Sequence, residues 1–126
     1  MKILLISEKK RVFEKTESIT RGWAEIIWYK YDDLKRNEYP VVNAVIIQFD
    51  NKMLKTNALG TIIKIKGIVG ANIPILVLMN GTPQEIFSVL KAGAYDYIIN
   101  IDNTQKYRKK IEDIILWNWY CEKYKI

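Results

Sequence analysis

The sequence contains no histidine. That removes imidazole as a general base or metal ligand, and with it Ser-His and Cys-His nucleophiles and most zinc sites. Cys121 is the one cysteine, so no internal disulfide is possible. No apolar run approaches the ~20 residues that a membrane span needs. The opening stretch MKILLIS carries one lysine and an apolar run too short for a signal-peptide core, with no small-residue cleavage site behind it. The expected compartment is therefore the cytoplasm. Repeats, low-complexity tracts and Gly/Ser-rich linkers are also missing.

What is present is the composition of an ordinary soluble protein, 49% hydrophobic and 27% charged. A length of 126 residues suits one domain with a real core, 1–126, and is too short for two. Met1 and the short tail lead us to expect a stand-alone chain. The net charge of +6 permits a nucleic-acid or acidic protein partner without requiring one.

Short apolar runs alternate with helix-like stretches. Strands are expected at 2–6, 23–30, 44–49, 73–79 and 95–99. The run IPILVLM is continuous, as for a strand buried on both faces. Helices are expected at 9–21, 58–69, 82–93 and 104–124, with a short helix or turn at 32–37. Thr82, Pro83 and Glu85 make a capping box with proline at the first helical position, and Gly93 fits the stop. Asp102 or Asn103 caps the last helix. Five βα units imply a parallel sheet covered by helices on both faces, with ligands bound at the carboxyl ends of the strands. The residues to inspect are then Ser7, Glu8, Gln48 to Asn51, Met79 to Gly81 and Asn100. The loop SEKKR after the first strand lacks the glycines of a dinucleotide fingerprint, and there is no Walker motif.

Four stretches carry a resemblance: KILLISEK, NAVIIQFDNKM, IPILVLMNG and, most specifically, LKAGAYDYIIN. Together they resemble the receiver domain of bacterial response regulators over nearly the whole chain. The resemblance implies a CheY-like (βα)5 three-layer α/β sandwich, its parallel five-stranded sheet ordered 2-1-3-4-5. It also implies phosphoryl transfer to an aspartate, assisted by Mg²⁺ on acidic residues, a Ser or Thr, and a Lys followed by Pro. Against that pattern the acidic positions hold Ser7 and Glu8, and the acceptor position holds Gln48. Met79 stands at the hydroxyl position, Asn100 at the lysine position and Ile101 at the proline. An amide is no nucleophile, so the resemblance points to a degenerate receiver with no catalytic residue, no cofactor and no metal. Gln48 is expected to hydrogen-bond neutrally with Ser7 or Asn100. Glu8 and Asp50 are the only candidates for a weak divalent site, and they read better as solvated loop acids. Tyr97 takes the switch-aromatic position and, without a hydroxyl at 79, reads as a fixed residue.

Three functions are compatible with these residues. The first is a phosphorylation-independent protein-interaction module in signal transduction or transcriptional regulation. The second is nucleic-acid binding through Lys106, Arg108, Lys109, Lys110, Lys123 and Lys125, with Lys9, Lys10 and Arg11 as a second cluster. Glu112, Asp113 and Glu122 interrupt that charge and argue against it. The third is a receiver still phosphorylated at Asp50. Helical stepping places Tyr107, Ile111, Ile114, Asn118 and Cys121 of the last helix on one buried stripe. Leu116, Trp117 and Tyr120 fall outside it, and with Lys91 and Tyr97 nearby they are the expected surface for a homodimer or protein partner.

Overall fold

The computed structural model describes residues 1–124, and the side chains of 54–56 are left undescribed. Lys125 therefore lies outside the described residues. Five parallel strands, β1 (Lys2–Ile6), β2 (Glu25–Tyr29), β3 (Ala44–Gln48), β4 (Ile75–Leu78) and β5 (Asp96–Ile98), form one sheet in the order β2-β1-β3-β4-β5. The helices are α1 (Lys10–Thr20), α2 (Asn51–Thr56), α3 (Ala58–Val69), α4 (Pro83–Ala92) and α5 (Thr104–Tyr124). This is the expected α/β sandwich.

The alternation of side chains along each strand builds a core on either side of the sheet. Leu4, Ile6, Val45, Ile47, Ile75 and Val77 point toward α3 and α4. Ile3, Leu5, Ile46, Leu76 and Ile98 point toward α1 and α5. Since β1, β3 and β4 are covered on both faces, they carry unbroken apolar runs. On α5 the buried stripe is Tyr107, Ile111, Ile114, Asn118 and Cys121, as the helical period requires. Each fully buried isoleucine there contributes about 1.5–3 kcal/mol, which decides the face the helix turns inward.

Two regions depart from the simple pattern. The second crossover holds no α-helix but a 3₁₀ segment, Tyr31–Arg36. Edge strand β2 is consequently only half-buried along most of its length. Tyr31, Leu34 and Tyr39 cover its inner side, and Phe13 stacks on Trp28 at 4.7 Å on the other. The third crossover contains the extra helix α2, which the sequence pattern did not suggest. Asp50 accepts a 2.8 Å hydrogen bond from the Met53 amide and starts that helix. The chain breaks at Asn57 before α3, where its side chain approaches Gly60 so closely that a Cβ would stand 2.3 Å from Asn57 Oδ1. At α4 the Thr82–Glu85 capping box is formed, and Gly93 ends the helix with φ 123°. Asn103 rather than Asp102 caps α5, accepting from the Lys106 amide at 3.0 Å.

Candidate functional site

At the carboxyl ends of β3, β4 and β5 lies a cleft of about 300 Å³. Gln48, Met79 and Asn100 all line it, so three of the five expected pocket residues are brought together. Ser7 is fully buried and reaches the cleft through Gln48, its hydroxyl donating to Gln48 Oε1 at 2.5 Å. The register explains the pair. Ile6 lies opposite Ile47, so the residues that follow them, 7 and 48, emerge side by side. Of the two partners expected for Gln48, the structure selects Ser7. Asn100 is used otherwise, accepting a hydrogen bond from the Asp102 amide at 3.1 Å. Met79 is 2% exposed and belongs to the core facing α3 and α4.

Glu8 does not line the cleft. Its Oε2 accepts from the Tyr31 amide at 3.2 Å, which ties the end of β1 to the start of the 3₁₀ segment. Tyr31 is the residue sequence reasoning missed. Its hydroxyl donates to the Gln48 carbonyl. One tyrosine thereby joins the loops after β1, β2 and β3. Burial first, then the negative charge of Asp50 and of Glu8, push its phenol up to about 12, partly offset by a hydrogen bond from the Asp50 backbone. The only available signal was an aromatic two residues past the end of β2, where a solvated helix start would be ordinary.

These contacts bear on magnesium. A hard divalent ion asks for several oxygen ligands, usually with more than one carboxylate. Here Glu8 and Asp50 each accept from backbone amides, and the other polar residues lining the cleft are the amides Gln48, Asn51, Asn80 and Asn100 and the cations Lys9 and Arg11. Among the described residues no group of three or more acidic, cysteine or histidine side chains is placed to hold a metal. The side chains present do not fit the ion.

Tyr97 is half-buried against the α3–α4 core. Lys110 Nζ lies 5.8 Å from its ring centroid and pairs with Asp96 at 2.6 Å. On α5, Leu116, Trp117 and Tyr120 are 54%, 38% and 43% exposed, and they share a shallow depression with Tyr95 and Asp113. Tyr95 stacks on Trp117 at 5.6 Å and Tyr120 on Tyr124 at 5.7 Å. Tyr95 extends the surface expected from sequence, whereas Tyr97 is committed to the core beside it and Lys91 is a solvent-exposed side chain of α4. Within the basic cluster Lys109 pairs with Asp113 at 3.0 Å and Lys110 with Asp96, so part of its charge is already matched.

No family model and no curated protein matches the sequence. Solved structures do match the fold. An orphan response regulator of H. pylori is 22% identical with a TM-score of 0.71, covering 91% of this chain and 96% of its own. A two-component response regulator from Clostridium difficile is 20% identical with a TM-score of 0.70, covering 91% of this chain and 95% of its own. The receiver domain of a sensor histidine kinase from Pseudomonas aeruginosa, with a magnesium ion coordinated in its active-site cleft, is 18% identical with a TM-score of 0.68 over 93% of this chain and 96% of its own. The chain has the CheY-like fold of response-regulator receiver domains. Among the described residues no helix is long and apolar enough to cross a membrane.

Proposed function

We propose that this protein is a degenerate receiver: an interaction module of signal transduction or transcriptional control that binds its partner without being phosphorylated and catalyses no reaction. The observation that carries this reading is Gln48. It occupies the place of the phosphoacceptor, offers no nucleophilic oxygen, and has its side-chain oxygen bound by the Ser7 hydroxyl. Asp50 is a poor substitute, because it stands beyond the strand and caps α2. The Pseudomonas domain holds magnesium in its cleft, whereas the acids here are tied to backbone amides. Binding is assigned to Leu116, Trp117 and Tyr120 on α5, with Tyr95 beside them, either to a second copy or to a protein partner. Large aromatic side chains held in stacks lose little side-chain entropy on association.

The test is sedimentation of the wild type and of Leu116→Glu/Tyr120→Glu at several concentrations, each with and without acetyl phosphate and Mg²⁺. In parallel, neighbouring gene products are tested by pull-down. Association of the wild type that ignores the phosphodonor and disappears in the double variant is expected. Association that requires the phosphodonor contradicts the reading. If the wild type is a monomer and the double variant still captures the same partner, the α5 assignment is wrong.

A further inference from the structure

Helix α3 is apolar around most of its circumference, although only one side of it meets the sheet. Ala58, Ile62 and Ile65 fill that side, whereas Leu59 and Ile63 stay exposed, Ile63 at 60%. Helix α4 lies alongside, where the stem of Lys66 crosses to Gly93. Its Val89 is buried, and Phe87, on the opposite side of the helix, is 66% exposed. Apart from Val41, Phe87 and Ile63 are the most exposed large apolar side chains among the described residues. The charge of this face has one sign. From Asn51 to Tyr95 the chain carries five lysines and a single acid, Glu85, whose carboxylate accepts the Thr82 amide at the start of α4. None of the ion pairs among the described residues involves α3 or α4. Lys64 and Lys66 donate to the backbone carbonyls of Leu34 and Ala71, and Lys91 is exposed one turn beyond Phe87.

We infer that the outer face of α3 and α4 rests reversibly on a bilayer surface rich in anionic lipid, with Ile63 and Phe87 entering the headgroup region and Lys64, Lys66 and Lys91 meeting its phosphates. The charge selects the partner. A second copy placed on the same face would set lysine against lysine, and an anionic surface matches all three cations at once. The apolar side chains select a fluid partner. The aromatics of α5 are held in stacks, whereas Phe87 has no ring partner among the described residues. Side chains that project singly suit an interface that closes round them, and a protein would need hollows built to match. Lysine stems lie along apolar surface and carry the ammonium out to phosphate depth. Two inserted side chains and three cations make a shallow foothold, hence a contact that comes and goes. The inference goes beyond the proposed protein-binding role, because the α5 surface is lined by other residues.

The experiment is flotation of the intact chain with vesicles of phosphatidylcholine alone and of phosphatidylcholine mixed with phosphatidylglycerol. The chain should rise with the anionic vesicles only and be released as salt is added. Lys64→Gln/Lys91→Gln should weaken binding about tenfold or more, the loss of two charges near the surface. Ile63→Glu/Phe87→Glu should abolish it while keeping the circular dichroism of the wild type, because both side chains are exposed. Should that variant fail to fold, the lysine variant decides the question alone. Leu116→Glu/Tyr120→Glu and Lys106→Gln/Arg108→Gln should float like the wild type, which separates this face from the α5 surface and from the basic start of α5. Failure to float, equal flotation with both vesicles, undiminished binding in either α3–α4 variant, or binding lost through Lys106→Gln/Arg108→Gln overturns the inference. So does a pull-down partner that Ile63→Glu/Phe87→Glu loses while the wild type ignores both vesicles, since the face then belongs to a protein contact.

Discussion

The cleft and the outer face of α5 handle their polar and apolar groups in opposite ways. Around the cleft, polar side chains consume one another's hydrogen-bonding capacity: Ser7 with Gln48, Tyr31 with the Gln48 carbonyl, Glu8 with the Tyr31 amide, Asp50 with the Met53 amide. On α5, Leu116, Trp117, Trp119, Tyr120 and Tyr124 remain open to solvent although the same helix has already buried a full stripe. A satisfied polar network makes loops rigid and leaves no carboxylate poised to attack. An exposed aromatic row is surface that gains free energy only when something covers it. On the proposed reading, the cleft is a region whose chemistry has been replaced by internal bonding and the α5 face one whose apolar area is unspent.

Several substitutions can break that separation. The largest effect is expected from Leu116→Glu/Tyr120→Glu, which should abolish association while leaving the melting temperature within a few degrees, because both side chains are exposed. Pocket variants should leave association unchanged, and a pocket variant that dissociates the complex would merge the two regions. Next is Ser7→Ala. The hydroxyl is fully buried and supplies the donor to Gln48 Oε1, so its removal should cost about 1–3 kcal/mol, read as a shift in the urea midpoint at constant slope.

Tyr31→Phe should cost about 1 kcal/mol, one part-buried hydrogen bond. It also has a pH signature. The Tyr31 phenol is raised from its ordinary value near 10 to about 12 in the folded chain. The folded state therefore holds this proton where the unfolded state has lost it. The contribution is complete below about pH 10 and is lost as the pH rises toward 12. Wild type minus Tyr31→Phe should show that falling limb, and a flat difference would contradict the environment described for Tyr31. The smallest effect is expected from Gln48→Asp. It should leave stability unchanged or slightly lower, and it should not restore phosphoryl transfer, since Met79 and Asn100 still stand where a hydroxyl and a lysine would act.

Much of the sheet was legible because burial on both faces writes an unbroken apolar run, as in Ile75–Leu78, and the α5 stripe because burial repeats with the helical period. The strand-end positions Gln48, Met79 and Asn100 followed from the topology once the strands were known. Other features depend on contacts between segments far apart in sequence. The choice of Ser7 over Asn100 as the partner of Gln48 comes from the β1–β3 register. Tyr31 acts across three loops, and no local pattern announces that. Helix α2 was missed although Asp50 is a sound cap, because Asn57 breaks the chain before the stronger α3 pattern begins. DDLKRN is compatible with either a short helix or a turn, and the 3₁₀ segment lies between those readings.

The most direct test of the account is the intact mass of the wild-type chain after incubation with acetyl phosphate and Mg²⁺. No covalent phosphoryl adduct is expected, and no rise in melting temperature with Mg²⁺ alone. A phosphoryl adduct that forms on the wild type and vanishes in Asp50→Asn would contradict it.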